Sequence, residues 1–434
     1  MANNLPLTLR AYRAISALAT PLAGTIIRRR LKQGKEDSAR IGERRGNSSV
    51  ARPAGPLVWI HGASVGEILA AAGLIERLRA VNVRILLTSG TVTSAAVAAK
   101  RFHPDVIHQY VPLDAPRFVD KFLDHWRPNL ALFIESDFWP NLILSSAQRR
   151  IPLVLINGRM SQRSFPRWRR LHGTIAAILD SFDLCLTQSD VDGNRFSALG
   201  GRNVLPVGNL KLDVQPPLAD PVKFDHLKAV TERRLVMVAA STHPGEEEIV
   251  LDAHRRLEGH FPSLLSIIVP RHPKRGAAIA RTLAASGMRV ALRSRDQMPT
   301  DDIHFYIADT MGEMGLFYRL APVVFMGGSM VDHGGQNPIE AVKLGASVLH
   351  GPHVFNFADV YEALDAAGGA ARVDSDEDFV RQLRHLLANP VARERALGAA
   401  ESVVYRMSGA LNKTLTALEP YLLQLRLEQD SANA

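Results

Sequence analysis

The chain has 434 residues, enough for two to three domains at about 150 residues each. With 46% apolar and 22% charged residues it builds ordinary buried cores, which excludes a disordered, collagen-like or disulfide-scaffolded chain. The net charge of +9 is unevenly placed, because residues 1–52 hold eleven Lys/Arg against three Asp/Glu and the body beyond carries only +1. The basicity thus belongs to the N-terminus, and a nucleic-acid face on the body is excluded. A single cysteine, Cys185, leaves no intrachain disulfide and no cysteine metal cluster, which fits a reducing compartment.

Leu5–Ile27 is rich in apolar residues, but the uncharged run extends only from Ala14 to Ile27, short of the ~20 residues that cross a bilayer. Arg10 and Arg13 precede that run, Pro21 interrupts it, and Arg28, Arg29, Arg30, Lys32 and Lys35 follow. No small-residue cleavage site separates the apolar stretch from the arginines, so it is not a secretory signal. Residues 1–32 therefore read as an interfacial helix with its basic cluster on anionic lipid, on the cytoplasmic side of a membrane. A soluble amphipathic helix packed on the body is the alternative. Gly34–Ala54 is polar and glycine-containing and reads as extended chain.

From Pro56 onward, short continuous Val/Ile/Leu runs alternate with helical stretches. Strands are expected at 57–61, 83–88, 130–135, 153–157, 184–187, 234–239, 265–269, 303–307, 323–326 and 347–349. Runs without polar alternation imply burial on both faces, hence parallel sheets with crossover helices. Prolines cluster in DVQPPLADPVKFD, residues 213–225, and no apolar period survives there. The expected organisation is α/β, with two Rossmann-like, doubly wound halves facing a cleft. Residues 33–212 form the first half and residues 213–410 the second, and residues 411–434 are a helix that crosses back to the first.

The informative loops follow expected strands. In HGASVGE (61–67) the glycines let backbone approach a ligand, and Glu67 falls in the first helical turn. Ser64 and Glu67 have capping-box spacing, so Glu67 either satisfies a backbone N–H or takes a proton from a substrate hydroxyl. IESDFWPN (134–141) ends a buried strand with two acids beside an aromatic pair, and a strand terminus is a poor place to hide a carboxylate such as Glu135. In the second half, STHPGEE (241–247), VPRHP (269–273), DTMGE (309–313) and GGS…GGQNPIE (327–340) each follow a strand. Asn337, Pro338 and Glu340 match N-cap, first and third helical positions. The glycine pairs before them are expected to leave amides free for a phosphate, with Glu340 accepting from ribose hydroxyls. The chain has no G-x-G-x-x-G, no P-loop and no H-E-x-x-H, and Asp190 with Asp192 reads as a helix start more simply than as a metal pair.

Nine segments in order, HGASVGE, FIESDFWPN, INGRMSQRS, VGNLKLD, ASTHPGEEE, VPRHPKR, DTMGEMGLFY, GGSMVDHGGQNPIEA and GPHVFNF, resemble the 3-deoxy-D-manno-octulosonic acid (Kdo) transferases of lipopolysaccharide synthesis. The resemblance runs from the N-terminal segment to about Tyr421. It implies a GT-B fold with the donor CMP-Kdo in the C-terminal half and a lipid A precursor in the N-terminal half. It further implies no metal or other cofactor, a place on the cytoplasmic side of the bacterial inner membrane, and inverting transfer to a primary hydroxyl. Glu67 matches the family's general base, and Glu135 and Lys211 match positions that stabilise the transition state. Pro270, Arg271, Met311, Gly312, Glu313, Asn337, Pro338, Ile339 and Glu340 match CMP-contacting segments. Two positions depart from the enterobacterial pattern: Asp137 replaces a second glutamate, and Gly62–Ala63 replaces bulkier residues beside the base. Another GT-B enzyme using a UDP-sugar and a lipid-linked acceptor is the competing reading, and a non-enzymatic docking module is a third.

Overall fold

The computed structural model describes residues 5–213 and 216–433, leaving aside the side chains of 428–433. The chain divides into two compact units, Met1–Val214 with Ser408–Ala434, and Gln215–Met407.

The first unit is built on a sheet of seven parallel strands. They are β1 (Leu57–His61), β2 (Arg84–Ser89), β3 (Ile107–Tyr110), β4 (Leu130–Ile134), β5 (Leu153–Gly158), β6 (Leu184–Thr187) and β7 (Val204–Pro206). Their order is β3-β2-β1-β4-β5-β6-β7. Strands β1 and β4 are buried at every residue, as runs covered by helices on both faces must be. Two apolar clusters fill the two sides of the sheet, one around Trp59, Phe122, Trp126 and Phe133, the other around Ile60, Leu74, Leu132 and Ile156. The C-terminal helix Ala410–Asn433 buries Ala410, Leu418 and Leu425 in the second cluster. Asp213 accepts from the backbone N–H of Gly409 and Leu411 and so caps its start.

The second unit repeats the plan with β8 (Leu235–Thr242), β9 (Leu264–Pro270), β10 (Val290–Leu292), β11 (Phe305–Ile307), β12 (Val323–Met326), β13 (Ser347–His350) and β14 (Ala370–Arg372). The order is β10-β11-β9-β8-β12-β13-β14, again wholly parallel. In each sheet the chain reverses its direction of growth beside the first strand, between β1 and β4 and between β8 and β12. Ligands of such sheets gather at the carboxyl ends of the strands at that point.

Extended chain is expected over Gly34–Ala54, but residues 38–45 within it are not extended. They form a 3-10 segment, Ser38–Arg45, that lies along the outer edge of β3. Glu43 accepts from the Tyr110 N–H at 2.7 Å, Arg40 donates to the His108 carbonyl at 2.8 Å, and Arg44 donates to Val111 at 3.0 Å. These side chains occupy an edge that would otherwise offer unpaired backbone groups. Arg44 is 3% exposed and also reaches Glu36 at 2.8 Å and the Gly90 carbonyl at 2.6 Å. Charged residues buried this way had no apolar period to reveal them.

Two helices precede that segment, Leu7–Leu18 and Ala23–Lys32. Leu9 enters the core, and the Tyr12 hydroxyl donates to Asp114 at 2.9 Å. Leu7, Ile15, Leu18, Leu22 and Ile26 stay exposed. Among the described residues no helix is long and apolar enough to cross a membrane.

Candidate functional site

Glu67 sits in the helix Val65–Ala70, which begins just after β1. Its carboxylate accepts from the Ala63 N–H at 2.7 Å and from the Ser64 hydroxyl at 2.9 Å, while Ser64 accepts from the Glu67 N–H at 3.4 Å. The capping reading of this loop is therefore real, and it does not exhaust the residue. Burial raises the Glu67 pKa against the pull of those two hydrogen bonds, and the charges of Glu135 and Asp137 raise it further. A carboxylate whose pKa is raised is a stronger base than a free one, as accepting a proton from a hydroxyl requires.

Glu135 directly follows β4, across the reversal point from β1. Its φ of 62° lies in the left-handed region, which for a residue with a β-carbon costs of order 1 kcal/mol and is held here by the surrounding structure. Lys211, in the 3-10 turn Leu210–Leu212 beyond β7, reaches Glu135 at 2.6 Å. That turn is held by Asn157 at the end of β5, itself at φ 54°, whose side-chain oxygen accepts from the Leu210 N–H at 2.9 Å. Glu67, Glu135 and Lys211, separated by up to 144 positions in the chain, thus stand over one sheet end. Asp137 lies 3.6 Å from the ring of buried His61 and is held low by His61 and Trp139 against its own burial. It is ionised while Glu67 is shifted up, so the two acids are differentiated by surroundings.

In the second unit the expected segments again follow carboxyl ends. Pro270 closes β9, and exposed Arg271 follows it with its N–H on the Thr242 carbonyl at 3.1 Å. Met311 and Gly312 form an exposed turn after β11, with Gly312 at φ 81°. Glu313 is gripped by Arg293 at 2.9 and 3.0 Å, by Lys223 at 2.7 Å and by the Thr310 hydroxyl. Those partners, Arg293 first, bring its pKa down to about 2. Asn337 accepts from the Ile339 N–H at 3.0 Å, and the helix runs Ile339–Lys343 with Pro338 as its flanking residue. Half-buried Glu340 has a pKa raised by burial, with Lys343 opposing.

One expectation is overturned. The first glycine pair does not leave its amides free, because the fully buried carboxylate of Glu246 accepts from Gly328 at 2.8 Å, Ser329 at 3.0 Å and Met330 at 3.1 Å. It also accepts from His243 at 2.9 Å. A nest of backbone amides binds an anion, and here the anion is the protein's own. Glu246 was visible only as one of three glutamates opening a helix, with nothing to show which strand's loop it would reach.

Because Glu313 ionises about two pH units below a free carboxyl, the second unit gains stability from it above pH 4.5 and loses that share as pH falls from 4.5 through 2. Acid unfolding of Glu313→Gln should show a weaker pH dependence in that window than the parent chain.

The sequence pattern of the 3-deoxy-D-manno-octulosonic-acid transferases (kdotransferases) matches residues 39–214. Relatives of that description are similar along nearly the whole chain: one from Haemophilus influenzae is 34% identical over 87% of this chain and 89% of its own. The chain belongs to the 3-deoxy-D-manno-octulosonic acid transferase family. A member from Bordetella pertussis is likewise 34% identical, over 86% of this chain and 90% of that one. Solved structures give the fold. A glycosyltransferase from Rickettsia africae matches with a TM-score of 0.55 at 10% identity, covering 85% of this chain and 99% of that one. A UDP-GlcNAc 2-epimerase from Neisseria meningitidis matches with a TM-score of 0.53 at 14% identity, covering 85% and 100%. The two parallel seven-stranded sheets are those of a GT-B glycosyltransferase.

Proposed function

We propose that this Kdo transferase moves Kdo from CMP-Kdo to the primary hydroxyl of a lipid A precursor, with inversion at the anomeric carbon and without a metal. The observation that carries the reading is Glu67, a carboxyl raised by burial at the reversal point of its sheet and flanked by strained Glu135 with its Lys211. Glu67 takes the acceptor proton as the hydroxyl attacks. The Lys211–Glu135 pair sets the charge around the attacking oxygen. In the second unit, Arg271 and the segments at 311–313 and 337–340 hold the nucleotide, and Arg271 stabilises the departing phosphomonoester. The donor assignment is tested by competition: CMP should displace a bound cytidine probe where UDP does not, and Arg271→Ala should weaken CMP by about 1.5–3 kcal/mol through loss of a charge-assisted bond. Equal displacement by UDP would favour a UDP-sugar donor.

The acceptor is an amphiphile, so we also propose that the N-terminal helices rest on the cytoplasmic face of the inner membrane. Exposed Leu7, Leu18, Leu22 and Ile26 would enter the lipid boundary, with Arg28 and Arg29 on anionic headgroups. Vesicles containing anionic lipid should sediment the chain, and L18E together with L22E should release it. Equal sedimentation of that variant would overturn the placement.

A further inference from the structure

Several polar groups of the second unit take no part in the proposed reaction. Three histidines arrive at the carboxyl ends of adjacent strands: His243 just after β8, His272 just after β9, and His333 in the loop after β12. The rings of His243 and His333 stack, with centroids 4.1 Å apart and 25° between planes. His272 stands edge-on to His243 at 6.3 Å. The Nε2 atom of His243 is buried and has no hydrogen-bond partner. It faces Gly328, whose φ of 70° suits glycine and whose missing β-carbon would lie 3.5 Å from that nitrogen and 3.4 Å from the side-chain nitrogen of Gln336. A β-carbon at position 328 would therefore press on the His243 ring and the Gln336 amide, so the glycine lets these polar groups close up against the loop backbone. The amides of Gly328, Ser329 and Met330 are taken by Glu246, and the side-chain donors beside them are the imidazoles, Gln336 and Arg271.

We infer that His243, His333 and His272, with Gln336, form an oxyanion-binding recess that grips the acidic group of the donor, a proposal that rests on the CMP-Kdo reading above. The charge balance supports it. Burial first, then His333, His272, Arg271 and Arg275, lower the pKa of His243. The nearby carboxylates are engaged or turned to solvent: Glu246 is spread over four amides, Glu247 is bound to Arg275 at 2.8 and 2.9 Å and to Thr242 at 2.7 Å, and Asp332 is exposed beside His353. A phosphate or carboxylate supplies negative charge beside these rings, and its arrival favours the protonated form of His243. Binding is then coupled to proton uptake.

The test follows the imidazole nitrogens by NMR on 15N-histidine-labelled chain, with H243N and H333N assigning the signals. The probes are inorganic phosphate, CMP and free Kdo. Saturation with an effective probe should raise the His243 ring pKa by one unit or more, which means at least tenfold tighter binding to the protonated form; H333N should abolish that shift, and H243N should abolish the pH dependence of the probe's binding. Movement with phosphate and CMP assigns the recess to the donor phosphate. Movement with free Kdo alone assigns it to the sugar carboxylate. If none of the probes moves the rings while CMP binds, the recess is overturned. If inorganic phosphate moves them but CMP does not bind, the recess stands and the CMP-Kdo reading falls.

Discussion

Glu67→Gln is expected to lower kcat for Kdo transfer by about 10²–10⁴-fold, the usual contribution of a positioned general base, while leaving CMP affinity unchanged. The substitution separates the two roles of this side chain. A glutamine oxygen still accepts from the Ala63 N–H, so the helix start at Ser64 is kept and melting should shift little. What it cannot do is carry a proton away from a hydroxyl. The parent enzyme should also show an acid limb in kcat/KM set by Glu67, above the 4.5 of an ordinary glutamate, because burial and the neighbouring Glu135 and Asp137 charges favour the protonated form. Activity then falls as pH drops through that raised value. A variant that turns over normally would leave Glu67 a capping residue only.

The largest effect on stability is expected at Arg44. Its guanidinium joins Glu36 to the carbonyls of Gly90 and Val111 in surroundings almost closed to water. Arg44→Met matches the stem but strands Glu36 and two backbone acceptors, a change of about 3–5 kcal/mol for breaking a buried pair from one side. Arg30 holds the other oxygen of Glu36 at 2.6 Å and cannot replace the lost contacts to the sheet. Denaturant unfolding should show the loss in the midpoint of the first unit. Gly90 in turn donates to the Ala63 carbonyl at 3.1 Å, next to the amide that Glu67 holds, so residual Arg44→Met enzyme should also have a lower kcat. A midpoint within 1 kcal/mol of the parent would mean that the Arg44 contacts add little to the fold.

The interior of both sheets was legible in the sequence. Strands buried on both faces, such as β1 and β4, announce themselves as unbroken apolar runs, and all ten expected strands exist with small shifts at their ends. The four that went unread are β3, β7, β10 and β14, and they are the four sheet edges. An edge strand pairs on one side only, needs three or four residues, and tolerates His, Gln, Pro or Arg, so no periodicity marks it. The site followed the same division. Loops after apolar strands could be listed from the sequence, and Glu67, Glu135 and Arg271 were read that way. Side chains that act across loops could not. Glu246 reaching Gly328, and His243 stacking on His333, depend on which strands become neighbours.

The most direct measurement is incubation of the enzyme with CMP-Kdo generated in situ and a tetraacylated lipid A precursor, with the lipid products resolved by mass spectrometry. One or more added Kdo masses are expected, lost in Glu67→Gln and weakened in Arg271→Ala. An unmodified acceptor from folded, CMP-binding enzyme would contradict the acceptor reading, and an unmodified acceptor from enzyme that does not bind CMP would contradict the proposed reaction as a whole.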